Sequence, residues 1–274
     1  MAISTSPKTE RMPVVFIPHG GGPCFFMDWN PKDEWDKMAH YLKNIAGGLP
    51  TQPKAIVMVS AHWIQSEVTV TSADHPEVIF DYYGFPAHTY ELRYPSPGEP
   101  ELAKKLVHLL KSAGIHARTD DQRGYDHGMF IPLLLMFPEA NIPVIQMSLT
   151  QTLNPAEHIA IGQALESLRD EGVLLVGSGM SFHNMRGYGD PRFGPISDTF
   201  DNWLTKTVES DPDARNQALS HWENAPEARL CHPPRAEEHL IPLMVVAGAA
   251  GQDKGVKAFS DRVMQTTISA FHFG

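Results

Sequence analysis

Short apolar or β-branched runs bounded by Pro, Gly or Ser alternate along the chain with longer segments of helical period. This is the pattern of an α/β fold on a mainly parallel central sheet flanked by helices. Runs at 14–17, 55–59, 68–70, 78–80, 142–149 and 173–176 predict strands, and the 55–59 run is continuously apolar, as strands buried on both faces are. Helices are predicted over 35–46, 99–113, 130–136, 155–171 and 197–209. Asn154 supplies a cap to the fourth of these, with Pro155 in the first turn, where proline is tolerated. Residues 241–250 are apolar and rich in small side chains, which predicts a buried helix. No repeat of solenoid period is present. The stretch 81–100 carries Tyr82, Tyr83, Phe85, Tyr90 and Tyr94 among four prolines, too long and too aromatic for a mere connector. It reads either as a lid or pocket wall or as a surface loop packed by its own aromatic side chains.

At 274 residues the chain is near the upper limit for one hydrophobic core, and composition marks no boundary. The expectation is one domain over 1–274, with 1–11 as a flexible tail. Hydrophobic residues at 42% and charged residues at 20% exclude disorder for most of the length. The net charge of −10 has the wrong sign for a phosphate backbone or an anionic membrane surface, which argues against nucleic-acid and membrane partners. No run reaches the ~20 apolar residues of a membrane span, and the N-terminus lacks the apolar core of a signal peptide, so a cytoplasmic protein is expected. Two cysteines, Cys24 and Cys231, cannot form a disulfide framework and belong to no Cys-x-x-Cys pair, so thiols are expected rather than metal ligands.

The unusual count is histidine, at 14. His19, His62 and His183 each follow a predicted strand or its turn. In open α/β sheets the carboxyl ends of the strands line the ligand crevice, so side chains there converge. One such histidine is ordinarily structural; three at equivalent places, next to small residues that allow close approach, point to a site. His239, in Glu237-Glu-His-Leu-Ile-Pro-Leu243, enters an apolar helix, where a buried imidazole needs a partner or a metal. Glu238 can point inward with it, whereas Glu237 suits the helix dipole. His127 stands beside Asp126, which can orient its ring, and Gly128 leaves room for a ligand. His40, His75, His88, His108, His116, His158, His221 and His272 are expected to be solvated, and His232 to lie behind the site. Imidazoles with or without a carboxylate suit Fe(II), Zn(II) or Mn(II), and spacing does not separate these metals.

The segments Pro18-His-Gly-Gly-Gly-Pro23, Ser60-Ala-His-Trp63, Asp81-Tyr-Tyr-Gly-Phe-Pro86, Tyr125-Asp-His-Gly128, Gly177-Ser-Gly-Met-Ser-Phe-His-Asn184 and Glu237-Glu-His-Leu-Ile-Pro-Leu243 together resemble the class III extradiol ring-cleavage dioxygenases, in particular the DOPA 4,5-dioxygenase branch. The resemblance implies a single α/β domain with a mononuclear Fe(II) at the carboxyl ends of the strands, some members holding zinc when isolated. It implies His19, His62 and His239 as metal ligands, with Glu238 the alternative third ligand. It also implies His183 as the acid–base histidine, close enough to reach the metal itself, and His127 as its assistant. The implied substrates are O2 and a catechol, DOPA-like or another catechol acid, opened to a muconic semialdehyde type of product. An imidazole titrating near pH 6.5 can take a catechol proton and later return one, help worth ~10²–10⁴ in rate.

The segment after His19 departs from the His-Gly-Ser-Pro form common in this branch and is more apolar through Trp29, so the substrate need not be DOPA. Arg186 and Arg235 are candidates to hold a substrate carboxylate. Two other readings use the same residues: a zinc-dependent hydrolase in which His183 or Glu238 serves as base, and a non-catalytic metal-binding protein on the same fold. A homo-oligomer is compatible with the sequence, which does not fix the oligomeric state.

Overall fold

The computed structural model describes residues 10–274, so most of the tail expected at 1–11 lies outside the described residues. Among the described residues the strands are β1 (Val14–Pro18), β2 (Ala55–Gln65), β3 (Val68–Thr71), β4 (Ala117–Asp120), β5 (Val144–Thr150), β6 (Val173–Gly179), β7 (Gly255–Val263) and β8 (Thr266–Phe273). The α-helices are α1 (Asp36–Asn44), α2 (Pro100–Ser112), α3 (His127–Met136), α4 (Pro155–Leu165), α5 (Phe193–Val208), α6 (Pro212–Leu219), α7 (Ala228–Cys231) and α8 (Ile241–Ala249). The strands form one sheet in the order β4-β3-β5-β2-β6-β1-β8-β7.

The four central strands β5, β2, β6 and β1 run parallel and are buried almost throughout, which is why they read as continuous apolar runs. The edges differ. β8 pairs antiparallel with β1 and with β7, and β3 pairs antiparallel with β5 while running parallel to β4. The period of two along β6 distributes its neighbours. A Cβ on Gly177 would lie 2.6 Å from the Pro242 carbonyl oxygen of α8, whereas Ser178, facing the other way, bonds the Gly128 carbonyl of α3. The two helices thus cover opposite faces of the same strand. α8 is buried on every side and packs on α4, and buried Arg169 and Arg215 satisfy its last carbonyls at Ala247, Ala249 and Ala250.

Several elements differ from the sequence expectation. The run 78–80 forms no strand, only an isolated bridge from Val78 to Tyr125. The helix expected over 155–171 is α-helical to Leu165 and a 3-10 turn from Glu166 to Glu171, and α5 begins at Phe193 rather than at 197. β4, α6 and the β7–β8 hairpin were not anticipated. The hairpin turns through Met264 and Gln265, both at positive φ (45° and 70°), between paired Val263 and Thr266. That is the geometry of a two-residue primed turn made without the usual Asn-Gly signature.

Candidate metal centre

The carboxyl ends of β1, β2 and β6 meet where α3 and α8 begin. His19 follows β1 directly, its backbone N–H donating to Gly179 O at 3.2 Å. His62 lies inside β2 rather than after it, in the irregular stretch where pairing with β5 shifts between Val59 and Ile64. Such irregularities re-aim a side chain. His127 is the first residue of α3, His183 lies just past β6, and His239 sits in the turn preceding α8, not within the helix as expected. Gly179 makes that last placement possible: its missing Cβ would lie 2.1 Å from the His239 carbonyl oxygen, which accepts the Met180 N–H at 2.9 Å.

The rings of His19, His62 and His239 form a nearly equilateral triangle, with centroids 4.9, 4.9 and 5.2 Å apart. One donor nitrogen from each lies within 4.8 Å of the others. His183 stacks on His239 at 3.4 Å and 14°, and His127 lies 3.9 Å from His62 on another side. All five imidazoles predicted from the sequence therefore converge.

Their hydrogen bonds fix which nitrogen is free. Ser178 donates its hydroxyl to Gly128 O, so it accepts from His19 Nδ1–H at 3.0 Å, leaving the His19 Nε2 lone pair uncommitted. Glu238 Oε1 takes His239 Nδ1–H at 2.9 Å, with the same result for His239 Nε2. His19 Nε2 and His62 Nε2 are 3.1 Å apart. Metal–nitrogen bonds of about 2.1 Å meeting at a right angle put two nitrogens about 3.0 Å apart. Burial holds His19 and His239 well below the ordinary imidazole range and His62 down at about 3, so the three are unprotonated at neutral pH. Three neutral, convergent imidazoles are a donor set that fits a divalent transition metal. Glu238, the alternative ligand, is engaged with His239 and lies 3.8 Å from His183 Nδ1.

The residue that orients His127 is Asp81, not neighbouring Asp126. Burial would raise the Asp81 carboxyl, but the hydrogen bonds from the His127 ring and backbone outweigh it and hold the group below its usual range. Asp126 is fully buried and tied instead to Ser60, Gln146 and Arg123; burial, with Asp81 nearby, raises its carboxyl. Asp81 opens the aromatic stretch singled out in the sequence, yet its partner is 46 residues away, and no local pattern pairs them. The stretch itself is a wall of the site: Phe85 lines the cavity and Tyr82 packs edge-on to His127.

Other expectations divide. Cys24 and Cys231 are buried thiols, pushed up by burial and outside every metal-type cluster among the described residues. His232 donates its Nε2–H to Ser181 O at 2.9 Å, bracing the segment before His183. His158 is not solvated but fully buried, bridging Thr150 N and Asn154 O, and half-buried His272 bonds Tyr41 Oη. Neither Arg186 nor Arg235 lines the cavity beside the imidazoles; Arg186 is exposed, and Arg235 lies in a separate groove with Glu237. No helix among the described residues is long and apolar enough to cross a membrane.

Comparison with known proteins agrees with this geometry. Residues 13–272 match the family model of the catalytic LigB subunit of aromatic ring-opening dioxygenase. The chain is 36% identical to the dioxygenase tasH of Hapsidospora irregularis over 98% of this chain and 87% of that one. It is 40% identical to a 4,5-DOPA dioxygenase extradiol of Beta vulgaris (74% and 75% covered) and 35% identical to one of Escherichia coli K12 (88% and 86%). The crystal structure of an uncharacterized Escherichia coli K12 protein superposes with a TM-score of 0.77 at 30% identity, covering 96% of this chain and all of that one.

Proposed function

The chain belongs to the LigB family of aromatic ring-opening dioxygenases, and we propose that within it the protein is an Fe(II)-dependent extradiol enzyme that opens a catechol with O2 to a muconic semialdehyde type of product. The observation that carries this is the triangle of His19, His62 and His239, flanked by two further imidazoles. We assign the three to the metal. Fe(II) held by these three imidazoles would supply a Lewis acid for the catechol and an electron path to O2.

The chain's own groups do the rest. Ser178 and Glu238 hold His19 and His239 in the tautomers that present Nε2. Burial lowers His183 to about 4, so at neutral pH its ring is unprotonated and ready to take a proton from a catechol hydroxyl. The imidazolium formed lies 3.8 Å from the Glu238 carboxylate, which stabilises it until the proton is returned. His127, with Nδ1–H committed to Asp81, keeps its Nε2 lone pair free to accept a proton and so assist His183. Aromatic and thioether side chains make up most of the cavity wall around the imidazoles.

The test is anaerobic purification, loading with Fe(II), and a catechol panel followed for oxygen uptake and a yellow product. Stoichiometric oxygen consumption with product formation is expected. Turnover with zinc and without oxygen overturns the reading in favour of a hydrolase.

A further inference from the structure

We propose that the cavity selects catechols whose ring substituent is uncharged and apolar, over catechol acids and amino acids; the inference rests on the ring-opening reading above. The cavity beside the imidazoles measures about 410 Å³, within the range of small-molecule sites. No Lys, Arg, Asp or Glu is among its described lining residues. Beyond the histidines and the glycines after His19, its wall is built mainly by Trp29, Trp35, Phe85, Met185, Tyr188 and Met264.

These side chains come from four separate segments, and several are held by contacts of their own. Trp29 and Trp35 meet edge to face at 5.6 Å and 85°. The Tyr188 hydroxyl is spent on Phe182 O at 2.8 Å, so that residue offers the cavity a ring and no free donor. Met264 is delivered by the turn of the β7–β8 hairpin, its N–H donating to Glu34 and its carbonyl accepting from Gly189 N–H at 2.7 Å. The nearest acids are committed, Asp81 to His127 and Glu238 to His239, and the nearby cation Arg123 is paired with Asp126. A substituent carboxylate entering this wall would lose hydration and gain no cationic side chain in return, whereas an alkyl or aryl group gains contact with the apolar wall.

Two shape-matched probes test this: 4-propylcatechol and 3-(3,4-dihydroxyphenyl)propanoate. Their binding to the Fe(II)-loaded protein is measured by calorimetry without oxygen, and their kcat/KM with oxygen. The expected result is at least ~10-fold tighter anaerobic binding of the propyl compound and a kcat/KM ratio of the same sense. Equal or tighter binding of the propanoate overturns the inference. Arg186→Ala, which alters the cation nearest the mouth in sequence, is expected to leave the binding ratio unchanged; a loss of propanoate affinity there shows that Arg186 serves the cavity and overturns it as well. If the propyl compound binds with the expected preference but consumes no oxygen, the ring-opening reading fails while the selectivity stands. If oxygen is consumed but the acid is preferred, the selectivity alone fails.

Discussion

Asp81 Oδ1 accepts two hydrogen bonds from His127, one from its backbone N–H and one from its ring Nδ1–H, each at 2.9 Å. The carboxylate therefore sets both the position of the first residue of α3 and the tautomer of its ring. Asp81→Asn keeps an oxygen that can accept both bonds but removes the negative charge that stabilises a proton on the His127 ring. Turnover is expected to fall ~10–100-fold with metal content retained, and the pH–rate profile to move. Metal analysis beside oxygen-uptake kinetics checks this; loss of metal would instead make Asp81 part of the ligand set.

His183 and the three triangle histidines are separable by what they hold. His62→Ala and His239→Ala are expected to lose metal, because two imidazoles do not replace three. His183→Ala is expected to keep metal and lose at least ~10² in turnover, the contribution of a positioned acid–base group. Metal content after Fe(II) loading distinguishes the two classes, and full metal content in His62→Ala would refute the assignment.

Gly179 carries a constraint that is steric rather than chemical. Gly179→Ala places a methyl 2.1 Å from the His239 carbonyl oxygen, with sheet on the other side. The turn bearing His239 must move. A stability loss of ~1–3 kcal/mol in urea unfolding is expected, together with weaker metal binding.

The metal-free protein is expected to be acid-labile in a definite window. Burial lowers His272 to about 4, and its Nε2 accepts Tyr41 Oη–H at 2.6 Å. The unfolded chain takes up that proton near 6.5 and the folded one only near 4, so the stability is fully present above ~6.5 and is lost as pH falls between the two. One such group contributes ~1.4 kcal/mol per pH unit in that interval. His183 and His232, lowered to about 4 and about 3, add in the same direction. Urea unfolding at pH 7, 6 and 5 should show the decline, and His272→Gln should flatten it by one proton.

Fold class, the five convergent histidines and the resemblance to ring-cleaving dioxygenases were legible in the chain, because strand-end placement depends only on where apolar runs stop, and the central strands are buried on both faces. The charged strand β7 was not legible: its burial alternates but its polarity does not follow, Val256 facing out while Lys257 and Asp261 take the less exposed positions, and its turn lacks glycine. Pairings across long separations were equally silent. Asp81 with His127, Ser178 with His19, and Glu34 with Met264 join residues 46, 159 and 230 positions apart.

The sequence by itself determined the residues available for metal chemistry and the sheet that gathers them. Only the tertiary structure decided which nitrogen His19 and His239 present, that Asp81 and not Asp126 orients His127, and that no arginine among the described residues lines the cavity. The reason is physical. Hydrophobic period acts locally along the chain, whereas tautomers, orientation and pocket polarity depend on contacts between segments that meet only after packing.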